Sequence, residues 1–209
     1  ACLVGSEMCI RDSDESVATI TKRFTALGIE STAETRRQYR EVLFTTPGLG
    51  EYISGAILYD ETIRQAKADG TPFPQVLAEN NIIPGIKVDT GAKPMAGHPG
   101  ETITEGLDGL RERVAEYYSL GARFAKWRAV IDIAANLPTR AAVVANAHAL
   151  ARYAALCQEG GLVPIVEPEV LMDGDHTIER CYEVTAETLA IVFAQLIEQG
   201  IDLEGMILK

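Results

Sequence analysis

Three short stretches of the sequence each carry two ionisable residues at alternate positions. They are GIKVDTG (85–91), FAKWR (124–128) and VEPE (166–169), with the pairs Lys87/Asp89, Lys126/Arg128 and Glu167/Glu169. Because a β-strand alternates its faces with a period of two, each pair lies on one face of its strand. Opposite charges that meet at one site satisfy each other, whereas isolated buried charges are costly. Each pair alone fits a structural salt bridge or an exposed strand end, but three pairs at matching positions favour a functional site.

The last residue, Lys209, follows the apolar run Met206-Ile207-Leu208 and is a further candidate. Desolvation and a neighbouring cation can turn a lysine into a neutral amine that attacks a carbonyl group to form a Schiff base. A nearby glutamate can move protons on and off the carbinolamine, and other Lys and Arg side chains can offset phosphate charge. The residue types therefore indicate a lyase that handles the carbonyl group of phosphorylated sugars.

The elements that must position these residues are short apolar strands alternating with helices. The pattern predicts strands over 54–60, 84–91, 122–130, 162–170 and 203–209, and helices over 102–121, 139–161 and 185–200. Such alternation is typical of parallel strands joined by right-handed crossovers. No GxGxxG or GxxxxGK[ST] motif follows a strand, whereas ionisable residues follow several, which favours a barrel over a doubly wound sheet. With five clear strands and a doubtful first, we predict an α/β fold, an incomplete (β/α)8 TIM barrel of about the first six strands.

The composition is that of an ordinary soluble globular protein. Of the 209 residues, 47% are hydrophobic and 23% charged, and the net charge is −11. This acidity argues against nucleic acid or an anionic membrane as a partner, and no apolar run is long enough for a transmembrane helix. The four cysteines contain no CxxC pair, and the three histidines lack zinc-site spacing. We therefore predict a cytoplasmic protein with reduced thiols and without a metal or other cofactor.

Longer motifs resemble the class I fructose-bisphosphate aldolases. They include DES (14–16), RRQYR (36–40), GETITEGLDGL (100–110), NAHALARYAALCQEGGLVPIVEPEVLMDGDH (146–176) and LEGMILK (203–209). The resemblance runs from about residue 14 to the end, in the family's order and spacing. It implies a (β/α)8 barrel and the reversible, metal-free cleavage of fructose 1,6-bisphosphate to dihydroxyacetone phosphate and glyceraldehyde 3-phosphate in glycolysis and gluconeogenesis. It also implies that the complete protein is a homo-oligomer, in this family often a tetramer.

The resemblance further implies catalytic roles for individual residues. Lys209 matches the Schiff-base nucleophile of the family. Glu167 matches the acid/base residue of Schiff-base formation, and Glu169 matches its hydrogen-bonded neighbour. Lys126 matches an interior cation that helps the iminium to form, and Asp14 matches the aspartate linked to carbon–carbon bond cleavage.

Four other residues match positions that contact the substrate. Arg128 matches an interior charge that touches the substrate, and Ser16 and Lys87 match residues near the phosphate at the aldehyde end. Thr19 stands where the family commonly has a second serine, and this difference keeps the hydroxyl group.

Both ends of the chain depart from the family pattern. The family has a glycine-rich apolar strand of the type GILAADES before its aspartate, whereas this chain reads GSEMCIRDSDES (5–16). We therefore predict that residues 1–13 are an anomalous, foreign segment and that residues 14–209 are a partial aldolase barrel domain. The family continues beyond its Schiff-base lysine, so we expect little or no activity from these 209 residues alone. The alternatives are another lysine Schiff-base aldolase on the same fold and a non-catalytic barrel remnant that acts as a binding module.

Overall fold

The structure is a computed structural model that describes residues 9–11 and 14–209. In this part of the chain, short strands alternate with helices. The strands are β1 Ile10–Arg11, β2 Gly55–Leu58, β3 Ile83–Lys87, β4 Gly91–Pro94, β5 Thr102–Glu105, β6 Phe124–Ile131, β7 Val163–Val170 and β8 Ile207–Leu208. The helices are α1 Val17–Ala26, α2 Ala33–Phe44, α3 Asp60–Ile63, α4 Phe73–Glu79, α5 Leu110–Ser119, α6 Arg140–Glu159 and α7 Ile178–Glu198.

The chain folds into two compact units. The first unit comprises the described residues up to Lys87 together with Ala115–Ala125, and the second comprises Val88–Val114 and Lys126–Lys209. Helix α5 and strand β6 therefore each contribute residues to both units.

The first unit contains a parallel sheet in which β1, β2 and β3 are neighbours in that order. Ile10 lies opposite Gly55 in the β1–β2 pair, and Gly55 lies opposite Ile83 in the β2–β3 pair. Gly85 of β3 packs against the ring of Phe124, where a Cβ atom would lie 2.2 Å from the ring. The absence of a side chain at position 85 therefore lets the aromatic ring lie on the strand.

The segment predicted to be anomalous, 1–13, lies only partly within the described residues. Its residues Ile10–Arg11 form β1, which pairs with Gly55 and Ala56. Residues 1–8 and 12–13 lie outside the described part of the chain, and the foreign origin of the segment stays a prediction.

The second unit contains β6 from Lys126 onward together with β7 and β8, and these strands are neighbours in that order. Strands β7 and β8 are parallel, and helices α6 and α7 pack on β7. A hydrophobic cluster made by β6 and its end, α6 and α7 includes Ile131, Ile133, Val143 and Val184, all of which are buried. The strands therefore carry their helices on one side, which leaves the other face of β6 and β7 for the charged residues.

Trp127 packs against the helix layer of the second unit. Its side chain is fully buried, and its ring centroid lies 5.5 Å from that of Tyr153 on α6. The Tyr153 hydroxyl donates a hydrogen bond to the carbonyl oxygen of Ile165 on β7, at 3.2 Å. Since Trp127 faces the helices, its neighbours Lys126 and Arg128 face the opposite side of β6.

The helix predicted over 102–121 is wrong in its first part. Thr102–Glu105 is a strand that pairs antiparallel with Gly91–Pro94, and the helix begins only at Leu110. The β-branched residues of this strand favour an extended backbone. Gly106 and Gly109, with φ angles of 127° and 63°, then turn the chain before the helix can start.

The other long helices follow the sequence more closely. Helix α6 begins behind Thr139, whose side chain accepts a hydrogen bond from the Ala142 N–H, which confirms the helix predicted over 139–161. Helix α7 begins earlier than predicted, because Thr177 rather than Thr185 is its N-cap residue. Among the described residues, no helix is long and apolar enough to cross a membrane.

Candidate active site

The pairing of β7 with β8 places Lys209 beside Glu167. Val166 lies opposite Leu208 in this parallel pair, and the Lys209 N–H continues it by donating to the Val166 carbonyl oxygen at 3.0 Å. The Nζ atom of Lys209 donates a hydrogen bond to Oε1 of Glu167 at 2.6 Å. The Lys209 side chain is 48% exposed and that of Glu167 is 7% exposed. A ligand can therefore reach the ammonium group, while its partner carboxylate is sheltered from water.

Strand β6 brings a second lysine to the same carboxylate. The Nζ atom of Lys126 lies 3.1 Å from Oε2 of Glu167, and the side chain of Lys126 is 5% exposed. Each oxygen of the Glu167 carboxylate thus faces a different ammonium group. Because a buried charge is costly unless it is paired, Glu167 compensates the buried Lys126 cation. The arrangement puts a proton acceptor within hydrogen-bonding distance of a reachable amine.

A second ion pair lies two residues further along the same two strands. The Nε atom of Arg128 on β6 donates a hydrogen bond to Oε2 of Glu169 on β7. These side chains are 41% and 38% exposed, so the guanidinium group is accessible from solvent. The alternate positions of FAKWR and VEPE therefore produce two charged contacts on one face of the second unit, as the period-two pattern predicts.

Asp89, the acidic member of the first sequence pair, holds backbone groups in the second unit. Its Oδ1 atom accepts a hydrogen bond from the Gly91 N–H at 3.0 Å, and its Oδ2 atom accepts one from the Arg128 N–H at 3.3 Å. The carboxylate is buried. These contacts stabilise the turn into β4 and the backbone of Arg128, whose guanidinium group is accessible.

The first unit holds the predicted phosphate-binding hydroxyls at the start of α1. The Oγ atom of Ser16 accepts a hydrogen bond from the Thr19 N–H at 3.3 Å, and the two side-chain hydroxyls are 3.0 Å apart. Ser16 is therefore the N-cap residue of the helix. Helix N-termini favour anions such as phosphate. Lys87, the last residue of β3, is half-buried in the same unit.

Asp14 is buried in the first unit, and both of its carboxylate oxygens accept hydrogen bonds. Its side chain is 1% exposed. Oδ1 accepts from the Arg40 Nε at 3.1 Å, and Oδ2 accepts from the Tyr59 N–H at 2.6 Å. Burial raises the pKa of the Asp14 carboxyl group, and the Arg40 charge opposes this effect. The carboxyl group is thus held in one place by donors from two other segments.

Arg40 is a site neighbour that the sequence analysis missed, apart from its presence in the motif RRQYR. It is fully buried, and it shares the buried face of α2 with Phe44, four residues later. A cation at an apolar position of an amphipathic helix needs a buried acidic partner. That position is the signal that could have identified Arg40.

The structure brings only some of the predicted site residues together. In the second unit, Lys126, Glu167 and Lys209 form one cluster, and Arg128 pairs with Glu169. In the first unit, Ser16 contacts Thr19. Among residues 9–11 and 14–209, no group of His, Cys, Asp and Glu is arranged to hold a metal ion.

Parallel strands followed by helices, with ionisable side chains on one strand face, define a protein of the (β/α)-barrel class. The family model described as fructose-bisphosphate aldolase class-I matches residues 3–209. The chain therefore belongs to the class I fructose-bisphosphate aldolase family.

Individual relatives agree with this assignment. The chain is 67% identical over 196 residues to the probable fructose-bisphosphate aldolase class 1 of Xanthomonas campestris pv. campestris, covering 94% of the chain and 59% of that protein. It is 52% identical over 197 residues to the cytoplasmic isozyme of fructose-bisphosphate aldolase from Spinacia oleracea, covering 94% of the chain and 55% of that protein.

A solved structure shows the same fold. Fructose-bisphosphate aldolase from Plasmodium falciparum, solved in complex with TRAP and a small-molecule inhibitor, superposes with a TM-score of 0.95 at 50% identity. The superposition covers 99% of this chain and 60% of that one. The predicted α/β fold, a partial TIM barrel, is therefore confirmed, and the chain spans between 55% and 60% of the length of these relatives.

Proposed function

We propose that the protein to which this chain belongs cleaves fructose 1,6-bisphosphate reversibly into dihydroxyacetone phosphate and glyceraldehyde 3-phosphate, through a Schiff base on Lys209. The observation that carries the proposal is the sheltered carboxylate of Glu167, which lies 2.6 Å from the accessible Nζ atom of Lys209. The names of the relatives supply the substrate. Because the chain spans 59% of the first of these relatives, the complete reaction is assigned to the whole protein.

Glu167 is placed to carry the protons of Schiff-base formation. It takes a proton from the Lys209 ammonium group, which leaves a neutral amine that attacks the ketone carbon. As the N–C bond forms, a proton moves from nitrogen to the former carbonyl oxygen and gives a carbinolamine. Glu167 then returns its proton to the carbinolamine hydroxyl, which leaves as water while the iminium forms. The carboxylate ends the sequence in the form in which it began.

The remaining charges of the second unit support this chemistry. The Lys126 cation compensates the negative charge of Glu167 in a buried setting, so that the carboxylate does not depend on hydration for its stability. Arg128 presents a guanidinium group that suits a phosphate or hydroxyl oxygen of the substrate. Glu169 orients that guanidinium group through their ion pair.

The first unit supplies the residues assigned to the aldehyde half of the substrate. Asp14 is assigned to carbon–carbon bond cleavage, and Ser16, Thr19 and Lys87 to the phosphate at the aldehyde end. The support for these roles is the family pattern, together with the position of Ser16 and Thr19 at a helix N-terminus.

Three broader properties belong to the same proposal. A relative is named as a cytoplasmic isozyme, and we assign the protein to the cytoplasm. We also assign residues 14–209 to a barrel domain that works as a homo-oligomer in the complete protein.

Borohydride trapping tests the Schiff base directly. The complete protein is incubated with dihydroxyacetone phosphate and borohydride, and the modified residue is located by peptide mass spectrometry. We expect a reduced adduct on Lys209, none in Lys209→Arg, and slower labelling in Glu167→Gln. An unlabelled Lys209 in the folded complete protein would refute the proposal.

Two outcomes of the trapping experiment separate the alternatives. Trapping of unphosphorylated dihydroxyacetone in preference to its phosphate would indicate a different Schiff-base aldolase. Absence of any lysine adduct would instead favour a binding module.

A further inference from the structure

Arg40 is bound to acidic and amide groups from two segments of the first unit. It donates from Nε to Oδ1 of Asp14 at 3.1 Å, and from Nη1 to Oε2 of Glu61 at 2.7 Å and to Oε1 of Gln65 at 3.0 Å. Its side chain is fully buried, and the side chain of Asp14 is 1% exposed. The guanidinium group is therefore held rigidly, and it presents one N–H to Asp14.

The second oxygen of Asp14 is held independently. The Tyr59 N–H, at the start of α3, donates to Oδ2 at 2.6 Å. A carboxylate bound at both oxygens by donors on different segments cannot rotate without losing a hydrogen bond in a buried setting, which is unfavourable. The two donors thus define the plane of the Asp14 carboxylate.

We propose that Arg40 is a positioning residue that fixes the orientation of the Asp14 carboxylate for carbon–carbon bond cleavage. This inference rests on the proposed function, in which Asp14 takes part in that step. Arg40 acts through Asp14, and its contacts are to protein groups of the first unit.

Charge balance supports a specific link between Arg40 and Asp14. Glu61 has a cation of its own, because Arg36 donates to it from Nε at 3.0 Å and from Nη2 at 2.7 Å. The network therefore contains two arginines and two carboxylates, of which Arg40 and Asp14 are buried. In the described part of the chain, Arg40 is the cation that pairs with Asp14, and its loss would leave the buried carboxylate without this counter-ion.

The Arg40 charge should have a measurable effect on the pKa of the Asp14 carboxyl group. Burial raises the pKa of Asp14, while the Arg40 charge and hydrogen bonds from Thr62, Tyr59 and Arg40 lower it. A neighbouring arginine typically lowers the pKa of an aspartate by about 1–3 units. Loss of the Arg40 charge should therefore raise the Asp14 pKa by a similar amount.

The test is a ¹³C-carboxyl NMR titration of the chain labelled at aspartate Cγ. The resonance absent from Asp14→Asn identifies Asp14. We expect Arg40→Gln to raise the Asp14 titration midpoint by about 1–3 pH units. Arg36→Gln is the matched control on the same helix, since its hydrogen bonds go to Glu61 and Ser31, and it should move the midpoint far less. An unchanged midpoint in Arg40→Gln, or equal shifts in both variants, would overturn the proposal.

A second arm covers the case in which Arg40→Gln does not fold. The proposal then expects the double variant Asp14→Asn/Arg40→Gln to fold, because the unpaired carboxylate has been removed. Failure of both variants to fold would show that loss of Arg40 disrupts the fold even without the Asp14 carboxylate, and it would overturn the positioning role.

Borohydride trapping at Lys209 in the complete wild-type protein keeps the two proposals apart. A shifted Asp14 midpoint without trapping would refute the Schiff base and leave the Arg40–Asp14 link intact. Trapping at Lys209 with an unchanged Asp14 midpoint would support the Schiff base and refute the Arg40–Asp14 link. In cleavage assays, Arg40→Gln should move the acid limb of the pH–kcat profile upward by the same amount as the NMR midpoint, a shift that a merely structural role would not produce.

Discussion

Two glutamates on one strand should respond very differently to the same change. Glu167 pairs with Lys126, whose side chain is 5% exposed, whereas Glu169 pairs with Arg128, whose side chain is 41% exposed. Glu167→Gln would leave a buried ammonium group facing a neutral amide. Removing one partner of a buried ion pair typically costs about 3–5 kcal/mol. Glu169→Gln breaks an exposed pair, for which about 0.2–1 kcal/mol is typical.

The only tryptophan of the chain makes this difference measurable. Trp127 is fully buried in the second unit, so its fluorescence reports the unfolding of the unit that contains both glutamates. For a chain of this length, the expected losses correspond to a fall in Tm of roughly 6–20 °C for Glu167→Gln and under about 4 °C for Glu169→Gln. Urea titrations of both variants at neutral pH give the free energies of unfolding.

A double variant tests whether loss of the Lys126–Glu167 ion pair is the cause. Lys126→Met in the Glu167→Gln background removes the buried cation, while Lys209 is 48% exposed and can be solvated. We expect the double variant to regain most of the lost free energy of unfolding. If Glu167→Gln costs no more than Glu169→Gln, or if Lys126→Met brings no recovery, the electrostatic account of this cluster is wrong.

Three further results follow from buried groups. Gly85→Ala should lower the free energy of unfolding by about 1–3 kcal/mol, because the new methyl group would clash with the ring of Phe124. Thermal melting by circular dichroism measures this loss, which should be smaller in a Phe124→Leu background. Burial raises the pKa of the Cys157 thiol, so iodoacetamide at pH 8 should alkylate the exposed Cys9 much faster than Cys157, and equal rates by mass spectrometry would contradict this. Burial raises the pKa of the Asp14 carboxyl group above its ordinary value, so its stabilising contribution is present below the unfolded-state pKa and is lost as the pH rises through the folded-state pKa. The difference in urea midpoint between wild type and Asp14→Asn should therefore shift in favour of the variant as the pH rises from 3 to 7, and a constant difference would exclude this linkage.

The sequence predicted those features that depend on local periodicity. Alternation in FAKWR placed Lys126 and Arg128 on one face and Trp127 on the other, because a strand has a period of two whatever surrounds it. Helix α6 was predicted from its alanine-rich stretch, and it ends at Glu159, directly before Gly160 and Gly161. Thr102–Glu105 was predicted as part of a helix, because its strand form depends on pairing with Gly91–Pro94, and a pattern within one segment does not show its partner.

The candidate site divides in the same way between local and non-local information. The residue types alone identified Glu167 and Lys209 as chemically useful. Their 2.6 Å contact, however, depends on the register of β7 with β8, and a shift of one residue would turn Lys209 to the opposite face. The Arg40–Asp14 contact joins residues 26 positions apart, on elements with no shared periodicity. Only the buried position of a cation on α2 could have signalled it, and that signal shows that Arg40 needs an acidic partner without showing which one. The sequence therefore predicts which residues can do chemistry more readily than it predicts the residues that hold those acids and bases in place.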